Sequence, residues 1–335
     1  MSVKRPTLAD VASRAGTSTA VVSYVLNNGP RPVSELLRVR VLSAIDDLNY
    51  RPDRRARALR RPRRWRQIGL LVPDLTLPLF GEFVGRIEVE ARSREHLTMI
   101  GNTGYDPERE LEFVTAFTEV GVDGIVAIGA AHAQRTAELC RNERLPVVWM
   151  HNIRGELAAD IVGVDHVQAG RLVAQHLIDE HGCTDIAFVG GFTAEDVRHG
   201  DRETVQQRFD GVAAVAGSDT SHIRTDLTAD SAYAAVAALL RDGRKPDALV
   251  VGTLGQVEAT IRAVLDADLS IPGDLRIVGF DGRLNEYGQF LLTAAQQPVD
   301  EMARRALDQL LDSSPSPTAQ GLFMPSLKIG STCGC

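Results

Sequence analysis

The chain has 335 residues, 44% of them hydrophobic, and a formal net charge of −7, which leaves room for two or three compact units. No apolar run reaches the roughly 18 to 20 residues that cross a bilayer, and the first residues lead into a polar helical pattern, so the expectation is a cytoplasmic protein that makes no membrane contact. The charge is uneven: residues 1–66 carry fifteen Lys/Arg against five Asp/Glu, and the remainder 22 against 39, a basic head on an acidic body that points to a nucleic-acid reader joined to a unit with a different ligand.

Thr7 to Gly16 reads as a short helix, with Leu8, Val11, Ala12 and Ala15 on one face. Thr7 can cap it, Asp10 offers a weak capping box, and Gly16 stops it. Ser18 restarts a helix that runs to Asn27, with Val21, Val22, Val25 and Leu26 facing inward. A third helix from Ser34, through Leu36, Leu37, Val41, Ile45 and Leu48, is needed to cover the first two. Helix, glycine turn and a second helix opened by small and polar residues form a helix-turn-helix; taken alone, the spacing also suits a plain three-helix bundle. From Arg54 to Arg66 the chain is mostly arginine with almost no apolar face, so its natural partner is polyphosphate.

Downstream, short apolar runs alternate with helical stretches. They include Ile68–Val72, Leu97–Ile100, Gly124–Ile128, Pro146–Met150, Ile186–Gly190, Ala248–Val251 and Leu275–Phe280. Fully apolar strands between amphipathic helices imply parallel sheets covered on both faces, and the number of units implies two Rossmann-like lobes. No dinucleotide or Walker fingerprint follows the first strand, so Gly190-Gly191 and Gly279 read as tight turns. The four cysteines match no zinc or disulfide spacing. They read as incidental, with Cys333 and Cys335 on a frayed tail and no metal or cofactor expected.

The stretches TLADVASRAG at 7–16, VVSYVLN at 21–27, VSE at 33–35 and NYRPDRRARALR at 49–60 resemble the DNA-binding headpiece and hinge helix of the LacI family of bacterial repressors. Ile68–Asp74, Val122–Ile125, Val162–Asp165, Val278–Asp281 and Gln297–Val299 continue the likeness in order. The resemblance implies an all-α helix-turn-helix headpiece over residues 1–52, a hinge helix and linker over 53–66, and a two-lobed α/β core, like a periplasmic binding protein, over 67–335. It implies a homodimeric regulator, expected to repress, on palindromic operator DNA. Thr7, Ser18, Thr19, Ala20, Ser23, Tyr24 and Asn27 would touch DNA from the head, with Arg54, Arg55 and Arg57 on phosphates and Leu59 as a minor-groove wedge. Tyr24 stands where many members carry Arg.

The same likeness places Phe80, His151, Arg208, Thr253, Leu254 and Asp281 around an effector between the lobes, with a sugar or glycoside as the suggested class. Arg208 and Asp281 match the family's ligand anchors. Leu77, His151 and Thr253-Leu254 replace an Asn, an Asp and an Asn-Asp pair, which removes hydrogen-bond partners for a polyhydroxylated ligand. An effector-independent regulator whose cleft is closed by an Arg208–Asp281 salt bridge therefore stays open. Gln297 falls near the pocket and hinge but reads as a surface residue. A solute-binding protein does not fit the basic head. A hydrolase using His151, Asp165 and Asp281 lacks a nucleophile elbow, and no catalytic residue is expected.

Overall fold

The computed structural model describes residues 6–27, 33–48, 50, 66–129, 132–151, 160–191, 202–218, 220–281, 290–311 and 320–335. The chain divides into two compact units, Met1–Arg63 and Arg64–Cys335.

The first unit contains α1 (Leu8–Ala15), α2 (Thr19–Asn27) and α3 (Glu35–Asp47). Thr7 and Asp10 form the complete capping box, with the Asp10 amide donating to Thr7 Oγ1 at 3.3 Å and the Thr7 amide to Asp10 Oδ2 at 2.7 Å. Gly16 ends α1 at φ 61°, a left-handed conformation that glycine adopts without steric cost. Val11, Ala12, Ala15, Val22, Val25, Val41, Ala44 and Tyr50 make the core, with Leu8, Leu26, Ile45 and Leu48 against it. Arg14 pairs with Asp47 at 3.0 Å and Arg40 Nη2 donates to the Ala15 carbonyl at 2.5 Å. Leu36 does not join this core. It is 76% exposed, because α3 turns Val41 and Ala44 inward and leaves its first turn outside.

The second unit holds two six-stranded sheets. The first is built from β1 (Arg66–Val72), β2 (His96–Asn102), β3 (Ile125–Ile128), β4 (Val147–His151), β5 (Asp160–Val164) and β11 (Gln320–Phe323) in the order β11-β5-β4-β3-β1-β2. The second is built from β6 (Ile186–Val189), β7 (Ser221–Ile223), β8 (Ala248–Val251), β9 (Arg276–Phe280), β10 (Thr293–Gln296) and β12 (Ser326–Lys328) in the order β12-β10-β9-β8-β6-β7. Every pairing is parallel except β10 with β12. Helices α4 (Pro78–Ser93), α5 (Pro107–Val120), α6 (Ala133–Glu143) and α11 (Val299–Leu311) cover the first sheet. Helices α7 (His166–His181), α8 (Arg202–Ala216), α9 (Ala229–Arg241) and α10 (Val257–Asp266) cover the second. The fully buried strand interiors, such as Ile125–Ile128 and Ala248–Val251, are what parallel sheets with helices on both faces require.

The chain passes between lobes three times: from β5 into α7, from β10 into α11, and from β11 into β12. Two expectations need correction. The C-terminal tail is not frayed: Ser331 and Thr332 donate their amides to the Leu291 carbonyl at 2.7 and 3.1 Å, and Cys333 is fully buried. Gln297 is buried as well, because it lies on the second crossing, where both lobes cover it. Among the described residues, no helix is long and apolar enough to cross a membrane.

Candidate functional site

In the head, the turn after Gly16 delivers the N-terminus of α2 to the surface. Ser18, Thr19 and Ala20 are exposed, Ser23 and Tyr24 partly so, and α2 carries no charged residue. Ser18 Oγ accepts the Val21 amide at 3.4 Å. Thr7 is exposed at the start of α1. Small uncharged side chains on an exposed helix start can approach base edges without repelling phosphate. The side chain of Asn27, and Arg54, Arg55, Arg57 and Leu59, lie outside the described residues.

In the two-lobed unit, each sheet reverses its strand order beside its first strand, between β1 and β3 and between β6 and β8. Ligands of open α/β sheets settle at the carboxyl ends of strands at such points. His151 ends β4 and Asp281 follows β9, at φ 81° and 56°. Left-handed backbone is uncommon for any residue with a Cβ, and clusters where side-chain placement matters.

The two lobes meet there through a buried polar chain. His151 Nδ1 lies 3.1 Å from Gln297 Oε1, Gln297 Nε2 donates to Asp281 Oδ1 at 2.9 Å, and Arg208 Nη2 donates to Asp281 Oδ2 at 2.5 Å. Because Gln297 Oε1 can only accept, His151 carries its proton on Nδ1 in this contact. Arg208 Nη1 donates to the Gly252 carbonyl at 2.9 Å, and the guanidinium carbon sits 4.6 Å above the centre of the Phe280 ring. The Arg208 Nε donor, though buried, has no partner among the described residues. Two of the guanidinium's five N–H groups are therefore engaged in these bonds.

Arg208 is placed by a close helix contact. A Cβ on Gly170 of α7 would lie 2.1 Å from the Arg208 carbonyl oxygen, and one on Gly211 of α8 would lie 2.0 Å from that of Val167. Only glycine at both positions lets α7 and α8 approach this far.

Phe80 is buried in the core of the first lobe, its ring edge-on to His151 at 5.9 Å, with Phe83 at 5.8 Å. It thus backs the polar chain while filling the core. Thr253 Oγ1 donates to Gln256 Oε1 at 3.1 Å at the start of the 3₁₀ turn Leu254–Gln256. Leu77 Cδ2 comes within 3.5 Å of where a Gly255 Cβ would stand, so Leu77 meets the Leu254 turn from the opposite lobe. The structure thus gathers His151, Arg208 and Asp281 into one chain, with Phe80 behind it and Leu77 facing Thr253-Leu254.

Asp165 does not join a catalytic group. Its carboxylate caps α7 by accepting the Gln168 amide at 2.8 Å, while His151 and Asp281 both engage Gln297.

Sequence reasoning missed three parts. Gln297 links the lobes. Gln256 is fully buried and donates to Thr225 Oγ1 at 2.9 Å and the Asp226 carbonyl at 2.6 Å. His222 stacks on Phe209 with ring centres 4.2 Å apart and bonds the Gly190 carbonyl at 2.7 Å. Burial pushes the His222 pKa below its ordinary value, with the Gly190 bond opposing. A signal existed only for Gln297, in the Gln297–Val299 stretch that continues the family likeness.

Comparison with known proteins gives two family matches: bacterial regulatory proteins of the lacI family over residues 7–53, and a periplasmic binding protein-like domain over residues 174–333. The chain is 30% identical over 302 residues to catabolite control protein A of Priestia megaterium, covering 90% of each chain. It is 29% identical over 324 residues to the ribose operon repressor of Escherichia coli K12, covering 94% of each. Among solved structures, the lac repressor dimer bound to operator and the anti-inducer ONPF matches with a TM-score of 0.70 at 22% identity, covering 98% of this chain and 99% of that one. A CelR–cellobiose complex matches with a TM-score of 0.68 at 22% identity, covering 98% and 100%.

Proposed function

The chain belongs to the lacI family of bacterial regulatory proteins, and from that premise we propose a homodimeric repressor that reads palindromic operator DNA and is governed by a small ligand held between its two core lobes. The observation that carries the ligand reading is the buried chain His151–Gln297–Asp281–Arg208. It joins the strand ends of the two lobes and leaves guanidinium donors beside a carboxylate, the pairing that sugar hydroxyls satisfy. Leu77 and Leu254 make one wall apolar, which suits a sugar or glycoside with one apolar edge. The ribose operon repressor and the cellobiose complex among the relatives support that class. Ligand binding would alter the angle between lobes, and through it the spacing of two hinge segments on DNA.

Dimerisation would use the face of α4 and β2. Strand β2 is the edge of its sheet, and Ile100 of β2 and Val89 of α4 are exposed. An apolar sheet edge is ordinarily covered by a partner. The relatives are transcription regulators and not enzymes.

A second reading is an effector-independent regulator. It is favoured by the same Arg208–Asp281 ion pair, which satisfies two charges internally. A thermal-shift screen of sugars and glycosides on the wild type, Arg208→Lys and Asp281→Asn separates them. A ligand that stabilises the wild type and neither variant supports the first reading; a hit that stabilises all three equally removes the anchors from it; no hit supports the second. Salt-dependent retention on operator DNA, lost when residues 1–66 are removed, tests the head.

A further inference from the structure

We propose that His176, His181, Cys333 and Cys335 form a tetrahedral site for a divalent zinc-class cation, which fastens the C-terminal tail to α7. The ligand atoms of all four side chains lie within 4.8 Å of one another. His176 Nε2 is 3.4 Å from Cys333 Sγ and 3.6 Å from Cys335 Sγ, and His181 Nε2 is 3.4 Å from Cys335 Sγ. With Zn–S of about 2.3 Å and Zn–N of about 2.0 to 2.1 Å at tetrahedral angles, neighbouring nitrogen and sulfur ligands stand about 3.5 Å apart and two sulfurs about 3.8 Å. The cluster therefore already has near-bonding dimensions and needs only a small contraction of its longest separations.

The local chain is shaped for this. Gly334 sits between the two cysteines at φ 101°, a left-handed conformation that lets the tail turn and present both sulfurs to the helix. Gly182 closes α7 at φ 63°, immediately after His181. The Thr293 hydroxyl donates to Cys333 Sγ at 3.0 Å. A neutral donor on a sulfur is the support a metal-bound thiolate takes from its surroundings. Two thiolates and two imidazoles select zinc over magnesium or calcium, which prefer oxygen. Cys333 and His176 are buried, His181 is partly covered and Cys335 is exposed, so an ion can enter from the Cys335 side.

The site is separate from the buried polar chain between the lobes. His181 lies fifteen residues beyond His166, about 22 Å along the helix, and His166 is the end of α7 that touches His151, with ring centres 5.1 Å apart. The cation would hold the tail across β10 and α7 in the second lobe without touching the polar chain.

The test uses full-length, tag-free protein purified under reducing conditions and loaded with zinc, then cobalt. The expected result is about one zinc per chain after desalting, a tetrahedral cobalt spectrum with thiolate charge-transfer absorption, and a lower melting temperature on chelation. Cys335→Ser and His181→Ala change the accessible side of the cluster and leave the buried Cys333 in place. Each should cut the retained metal at least about tenfold and make melting insensitive to chelator. The proposal is overturned if the wild type retains under about 0.1 metal per chain, or if both variants retain as much as it does. It is equally overturned if Cys333 and Cys335 are found joined as a disulfide in the reduced preparation.

Discussion

Replacing Gln297 by alanine tests the link between the lobes directly. The side chain is buried and makes two bonds, at 3.1 Å to His151 Nδ1 and 2.9 Å to Asp281 Oδ1. Deletion removes a hydrogen-bond partner from a buried imidazole and from one oxygen of a buried carboxylate. Each loss costs about 1 to 3 kcal/mol, the carboxylate toward the upper end. Asp281 keeps Arg208, so its charge stays compensated and the larger penalty of an isolated buried ion does not apply. Together they predict a destabilisation of about 2 to 4 kcal/mol, with partial relief if water enters the space. A surface glutamine would cost no more than about 0.5 kcal/mol. Urea unfolding of the full chain, with Gln175→Ala as an exposed control, distinguishes the two. The core transition of Gln297→Ala should move to clearly lower urea at an unchanged slope. A shift no larger than that of Gln175→Ala would refute the reasoning.

Gly170→Ala should destabilise the second lobe by about 1 to 3 kcal/mol or more, since its Cβ would meet a backbone carbonyl at 2.1 Å; calorimetry reads it, and a neutral result would mean that α7 and α8 separate freely. Tyr24→Arg should change the base selected at one or two half-site positions in in-vitro selection, because arginine can grip guanine bidentately and tyrosine cannot; an unchanged motif removes Tyr24 from base reading. Leu59→Ala should weaken operator binding while sparing random DNA, whose affinity is mainly electrostatic; equal losses on both would count against a wedge. Folding holds His222 below its usual pKa, chiefly through burial. Its contribution is therefore full above the unfolded value near 6.5 and shrinks as pH falls through that value toward the folded one. His222→Phe should flatten that part of the melting-temperature profile between about pH 7 and 5; an unaltered slope would clear His222.

The fold was legible because burial writes itself into the sequence. Parallel strands covered on both faces must be apolar throughout, as in Ile68–Val72 and Ala248–Val251, and the head announces itself through Gly16 between two amphipathic stretches. Five strands were not among the apolar runs: β5, where glycine breaks a short buried stretch, β7, which is only half-buried, β10, which is Thr-Ala-Ala-Gln, β11, which is Gln-Gly-Leu-Phe, and β12, a three-residue edge. Periodicity cannot identify such pieces, because their pairing depends on a sheet that already exists. Leu36 shows the reverse limit, since a helical period names a face but not the turn at which burial starts. At the site, charged residues with a matching motif, Arg208 and Asp281, were readable. Gln297 also lay in a matching stretch but read as a surface residue, because an uncharged amide has no preferred environment until a crossing between lobes encloses it. The cysteine pair escaped for a related reason: its histidine partners lie about 150 residues earlier, and no spacing rule spans that distance.

The position of Gln297 bears on how a ligand could act. It stands on the crossing from β10 to α11, bonded to a histidine at the end of a first-lobe strand and an aspartate at the end of a second-lobe strand. Rotation of one lobe against the other must stretch or exchange these bonds, since both partners move with their own sheets. A ligand hydroxyl that bonded Asp281 would compete with the Gln297 amide for the same carboxylate oxygen. The apolar neighbours strengthen that competition, because Leu77 and Leu254 offer a displaced polar group no substitute partner. A ligand need not push the lobes apart to change their angle. It needs only to satisfy the second-lobe half of the chain better than Gln297 does, leaving the amide and His151 to find a new arrangement. The differential affinity of the ligand for the two arrangements then sets the size of the regulatory response.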